Sequence, residues 1–83
     1  RLADLTKEDK KELNLENGVK VEEVFAGKLR SIGVRDGFII TKINHVPIKN
    51  LSNASEVLSK IKGGVLIEGI YGNGKREFYG FGV

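Results

Sequence analysis

The chain has 83 residues, of which 14 are basic and 11 acidic, a formal net charge of +3, and it contains no cysteine and no methionine. This is the size of one small domain, over residues 1–83, whose apolar side chains must hold the fold without disulfides or thiolate metal sites. The charges are interspersed, Lys75-Arg76 being answered at once by Glu77, so nothing forms the stripe that nucleic acid needs, and no apolar run approaches the ~18 residues of a membrane span.

Taken in order, Leu2-Ala3-Asp4-Leu5 alternates apolar and polar briefly, like the end of a strand. Thr6-Lys7-Glu8-Asp9 reads as a capping box that opens a helix running to about Leu13, and Asn17-Gly18 marks a turn. Val19-Lys20-Val21-Glu22 alternates as a strand, then Val24 and Phe25 break the parity, which a bulge or strand end near Glu23 would explain. Gly27 through Ile32 reads as one or two helical turns stopped by Gly33. Phe38 to Ile43 is a strand with apolar residues on both parities, expected to be buried on both faces. Asn44-His45 follows as a turn, because Asn tolerates positive φ.

A second helix carries Leu51, Ala54, Leu58 and Ile61 on one stripe, with Ser52 or Asn53 as its cap and Gly63-Gly64 as its stop. Val57 lies off that stripe and shares a face with Asn53. Either the apolar arc is wide, or this pair lines a groove against a neighbouring strand. Val65 to Tyr71 is a strand, Gly72-Asn73-Gly74-Lys75 a hairpin turn, and Glu77 to Phe81 the returning strand. Strands outnumber helices and are mostly joined by turns, so the class is α+β: a small curled antiparallel sheet with two helices.

Chemistry-bearing patterns are sparse. His45 sits in a predicted turn, and Ser31, Ser52, Ser55 and Ser59 lie on helices or caps with no Gly-x-Ser-x-Gly elbow, so no catalytic triad assembles. Glu8 and Glu12 are surrounded by Lys7, Lys10 and Lys11, a solvated face. One histidine without cysteine argues against a metal site, and no cofactor is expected. The glycines before Lys75 lack the spacing of a phosphate loop and join two strands. Tyr79-Gly80-Phe81 is read as core and cross-strand pairing, not as an RNA-binding strand. The domain is expected to be non-catalytic, with no nucleic acid partner and no membrane insertion. The chain opens at Arg1, so it is expected to be a piece of a longer protein whose targeting segment lies upstream.

Across nearly its whole length the sequence resembles a PDZ domain of the bacterial Deg/HtrA-type, trypsin-like serine proteases. The residues that carry the resemblance are Gly18 to Val24, Ala26-Gly27, Ile32-Gly33-Val34-Arg35-Asp36-Gly37, then Ile39, Ile40, Ile43-Asn44, Pro47-Ile48, the Leu51 to Ile61 helix and the terminal hairpin. It departs from the family at Gly37-Phe38, where Gly-Asp is frequent, and at His45, where glycine is common. The family's apolar-Gly-apolar carboxylate loop is expected just before Arg1. The resemblance implies a PDZ-like β-sandwich or partial barrel with two helices that binds extended or C-terminal peptide segments by strand addition. By position, Leu2, Ala3, Asp4 and Leu5 would be the binding strand, and Asn53, Val57 and Lys60 the groove side of the helix. It also implies peptide or unfolded-protein segments and other parts of the parent protease as partners, and a periplasmic or cell-envelope setting. The parent would be a serine endopeptidase whose catalytic domain lies outside this chain. The alternative is a module for oligomer assembly or interdomain docking without peptide affinity.

Overall fold

A computed structural model describes residues 2–22 and 28–82. The parity slip expected near Glu23, with Val24 and Phe25, and the Ala26-Gly27 step lie outside these residues. Along the chain the elements are β1 (Leu2–Asp4), α1 (Lys7–Glu12), β2 (Val19–Val21), α2 (Lys28–Ser31), β3 (Ile39–Ile43), β4 (Val46–Pro47), α3 (Leu51–Lys60), β5 (Gly64–Ile70) and β6 (Arg76–Gly82). The strands form one antiparallel sheet in the order β1-β2-β3-β5-β6, with β4 folded back on β3. The sheet does not close: among the described residues β1 and β6 end its main path, and β4 pairs only with β3. With two helices and the single turn of α2, this is the expected PDZ-like α+β fold.

Local chemistry explains the boundaries. The Thr6 hydroxyl accepts from the Asp9 amide at 3.1 Å while the Asp9 carboxylate accepts from the Thr6 amide at 3.1 Å, the reciprocal box that satisfies two orphan donors of α1. Asp9 also holds the Lys20 ammonium at 3.1 Å, which ties α1 to β2. The Thr6 amide, and then the Lys20 ammonium, hold the Asp9 carboxyl below its ordinary value, against an opposing contribution from burial. Asn14, at φ +53, ends α1: the Leu15 amide returns to the Lys10 carbonyl at 2.9 Å and the Asn14 amide to that of Lys11 at 3.4 Å.

The β3–β4 turn has Asn44 and His45 both at positive φ, the geometry a two-residue hairpin demands. Asn44 also staples β5, accepting from the Leu66 amide at 2.7 Å and donating to the Gly64 carbonyl at 3.2 Å. The β5–β6 turn closes through Gly74 at φ +87, with the Tyr71 amide donating to the Lys75 carbonyl at 2.9 Å.

Two features of α3 differ from expectation. Its cap is Asn50, not Ser52 or Asn53; the Asn50 side chain accepts from the Asn53 amide at 2.9 Å. Leu58 is 38% exposed, whereas Leu51, Ala54, Val57 and Ile61 pack on the core, so the helix is rotated and Val57 takes the place assigned to Leu58.

The larger core gathers Val19, Val21, Val34, Phe38, Ile40, Ile43, Ile48, Ala54, Val65, Ile67 and Tyr71. Leu5, Ile39 and Ile70 form a smaller one, with Leu13 and Leu15 from the end of α1 packed against it. Burial on both faces therefore holds for Ile39 and Ile40. The register of β3 against β5 then slips between Ile40 and Lys42, so Thr41 is the extra residue and Ile43, not Lys42, returns to the core. Phe38 is fully buried, its ring 4.9 Å from that of Tyr71 and edge-on to Tyr79 at 5.2 Å. The two tyrosine hydroxyls meet at 2.7 Å, and Tyr71 accepts from the Arg35 amide at 3.0 Å beneath the Arg35 guanidinium.

Candidate functional site

The site expected from the sequence depends on whether β1 offers an unused edge beside α3. Strand β2 decides the first point. The Val21 amide donates to the Phe38 carbonyl at 2.7 Å and the Val21 carbonyl accepts from the Gly37 amide at 2.7 Å, so the backbone of Val21 points toward β3. Alternation along an antiparallel strand then directs Val19 the same way and Lys20 toward β1. Leu2 lies opposite Val21, Ala3 opposite Lys20 and Asp4 opposite Val19. Hence Ala3 spends its backbone groups on β2, while the N–H and C=O of Leu2 and Asp4 point away from the sheet. Two outward residues are the whole edge of the described strand.

Helix α3 supplies the second point. The Asp4 carboxylate Oδ1 accepts from the Leu51 amide at 2.7 Å, which pins the end of β1 to the first turn of α3. Leu2 and Val57, both half-buried, pack on the larger core. Both therefore add apolar surface to that core, and Asp4 places a carboxylate where β1 meets α3.

The other expected site residues serve the frame. The Asn53 carbonyl oxygen accepts from the Lys49 amide at 3.0 Å, shaping the entry to α3. Lys60 reaches the Glu56 carboxylate at 3.3 Å on the exposed side of the helix, a solvated pair of little energetic weight. Leu5 is 8% exposed in the smaller core, because the chain turns inward there to begin α1. Its side chain is scaffold. Sequence reading passed over Asn50 and the Leu51 amide, which fix the helix start against β1. The only signal for them was a run of cap-forming residues with several equivalent candidates.

Elsewhere, His45 Nδ1 lies 3.0 Å from a Glu68 carboxylate oxygen, with its imidazole 78% exposed. Among the described residues no group of three His, Cys, Asp or Glu side chains stands close enough to hold a metal ion. A concavity of about 590 Å³ lined by Arg30, Gly33, Val34, Arg35 and Asp36 lies away from β1 and α3. Arg35 is already engaged there on Tyr71, so the junction of β1 with α3 is the better candidate.

No family model matches the chain. It is similar to proteins named DegP-like periplasmic serine endoproteases. That of Pseudomonas fulva (strain 12-X) is 40% identical over 60 residues, 72% of this chain and 12% of that protein. That of Ectopseudomonas mendocina (strain ymp) is 37% identical over 60 residues, 72% of this chain and 13% of that protein. That of Hahella chejuensis (strain KCTC 2396) is 30% identical over 61 residues, 74% of this chain and 13% of that protein. The chain thus spans about an eighth of the length of the curated relatives it matches. Their names agree with the cell-envelope setting expected from the sequence, and no described helix is long and apolar enough to cross a membrane.

Proposed function

We propose that this chain, a PDZ-like module homologous to a segment of the Deg/HtrA-type serine endoproteases, is the non-catalytic peptide-binding domain of an envelope protease. It takes an extended or C-terminal segment as an added strand between β1 and α3 and so recruits substrate to, or regulates, a catalytic domain elsewhere in the polypeptide. The observation that supports this reading is the pair of outward backbone residues, Leu2 and Asp4, on a strand whose end is pinned to the start of α3 by the Asp4–Leu51 hydrogen bond.

The test is an NMR amide-shift titration with apolar C-terminal peptides, free and amidated. Shifts confined to Leu2–Leu5 and Asn53–Lys60 are the expected result. Loss of those shifts on amidation assigns the carboxylate a part in binding, and their persistence means strand addition alone. No movement at millimolar peptide overturns the reading.

A second reading, docking or oligomer assembly without peptide affinity, draws on the opposite edge. The Tyr71 amide faces β6, so by alternation Arg76, Phe78 and Gly80 direct their backbone groups outward, and Phe78 is 63% exposed among them. Concentration-dependent sedimentation that Phe78→Ser abolishes, with no peptide shifts, would favour it.

A further inference from the structure

We propose that Asp4 determines ligand specificity: the groove selects a peptide with a lysine or arginine two positions N-terminal to an apolar residue. The inference rests on the peptide-binding reading above.

Register comes first. An added strand exchanges backbone hydrogen bonds with the outward residues of β1, which are Leu2 and Asp4. Antiparallel addition continues an all-antiparallel sheet and is the more stable ladder. A ligand residue opposite Leu2 therefore has its partner for Asp4 two positions upstream. Directly opposed residues point to the same face with Cβ atoms roughly 4.5–5.5 Å apart. The first ligand side chain meets Leu2. The second meets the Asp4 carboxylate.

The chemistry at that second position is acceptor-rich. Asp4 is exposed, and its Oδ1 is held toward α3 by the Leu51 amide at 2.7 Å. Its other oxygen carries no hydrogen bond or ion pair among the described residues. The neighbouring side-chain oxygens of Asn50 and Asn53 are themselves acceptors, satisfied by the Asn53 and Lys49 amides. Because Asp4 already occupies the Leu51 N–H, the positive end of α3 is answered from within the protein and has little left for an acidic ligand. A cationic side chain finds a fixed carboxylate, whereas an acidic one faces a like charge directly across the strand. The overall charge of +3 works the other way, favouring acidic peptides at long range. Local and global electrostatics thus predict opposite orders.

The test uses this 83-residue chain and free-carboxylate peptides ending X-Ala-Val, with X as Lys, Gln or Glu, plus the reversed Val-Ala-Lys peptide, measured by fluorescence anisotropy. Expected affinities fall in the order Lys, Gln, Glu, about two- to fivefold per step at low salt. Asp4→Asn keeps an acceptor for the Leu51 amide while removing the charge, and should collapse that order. Equal affinities across X in the wild type overturn the inference and leave peptide binding standing. An order that survives in Asp4→Asn, or a reversed peptide that binds as well as the Lys peptide, overturns it too. Absence of binding by every peptide overturns both.

Discussion

Gly69 is the most constrained position in the sheet, and replacing it with alanine tests the packing directly. It lies in the core-facing row of β5 between Ile67 and Tyr71, opposite Ile40 of β3. A methyl group there would collide with the Ile39 carbonyl and meet the Phe38 ring at 2.5 Å. The carbonyl belongs to a paired strand and yields little. The ring is fully buried and wedged between Tyr71 and Tyr79. Overpacking of this kind costs typically 1–3 kcal/mol, and expelling the ring altogether costs about 3–5, as for a phenylalanine-to-alanine change. Alanine regains about 0.5–1 kcal/mol over glycine in a strand, so where the buried ring is expelled the net loss is about 2–4 kcal/mol. At 0.05–0.15 kcal/mol per residue this domain has roughly 4–12 kcal/mol in total, so the substitution removes a large share. Thermal denaturation followed by circular dichroism should show a fall in Tm of about 10 °C or more. Phe38→Leu frees space at the same point, so Gly69→Ala should cost less in that background than in the wild type. A loss below about 0.5 kcal/mol, or strictly additive single and double variants, would refute the packing argument.

Tyr79 has its hydroxyl pushed up to about 12 by burial and then by its bond to Tyr71. A raised folded-state value means its contribution is whole below the unfolded value near 10 and is lost as pH rises toward 12. Alkaline denaturation should therefore begin above pH 10 in the wild type and be shallower in Tyr79→Phe. Asp9 has the opposite sign: its lowered folded value gives stability that is present above the unfolded value of 3.8 and lost as pH falls below it. Asp9→Asn should cost about 0.5–2 kcal/mol at neutral pH and flatten the acid limb of a urea-stability profile. Val57→Lys should abolish peptide-induced shifts at Leu2 and lower Tm by several degrees, because Val57 is half-buried against the core.

Where one residue type answers one geometric demand, the sequence was readable. Thr6 with Asp9 three residues on is a box that few other arrangements mimic, and both reciprocal bonds form. Asn44-His45 between apolar runs is a hairpin turn, and both residues take positive φ. The misread features are those with degenerate solutions. Asn50, Ser52 and Asn53 all cap helices well, and the choice fell to Asn50 because the Asp4 carboxylate, 47 residues away, fixes Leu51 as the first helical residue. Val57 and Leu58 are adjacent apolar residues, so spacings of three and four fit either; rotation of α3 onto the larger core selects Val57. The slip at Thr41 is set by pairing with β5, and no local pattern encodes it. At the expected site, the structure shows Asp4 tied to the Leu51 amide. Position in the sequence did not reveal that Leu5 is turned inward or that Asn53 is engaged with Lys49.

The fold bounds β1 beyond Asp4. Leu5 belongs to the smaller core and Thr6 caps α1, so the strand has no room to extend past Asp4. On the proposed reading, a peptide added to the described residues would exchange up to four backbone hydrogen bonds with Leu2 and Asp4, each worth about 0.5–1.5 kcal/mol net. Against this stands the cost of ordering the peptide, about 4–15 kcal/mol for overall freedom alone. On the proposed reading, these residues by themselves would give weak, rapidly reversible binding. Such affinity suits a module that samples segments and releases them. Tight retention would come from several grooves acting on one chain, where effective concentration multiplies weak contacts by about 10²–10⁴. On the proposed reading, discrimination would rest on side-chain matching at two positions, one opposite Leu2 and one opposite the Asp4 carboxylate.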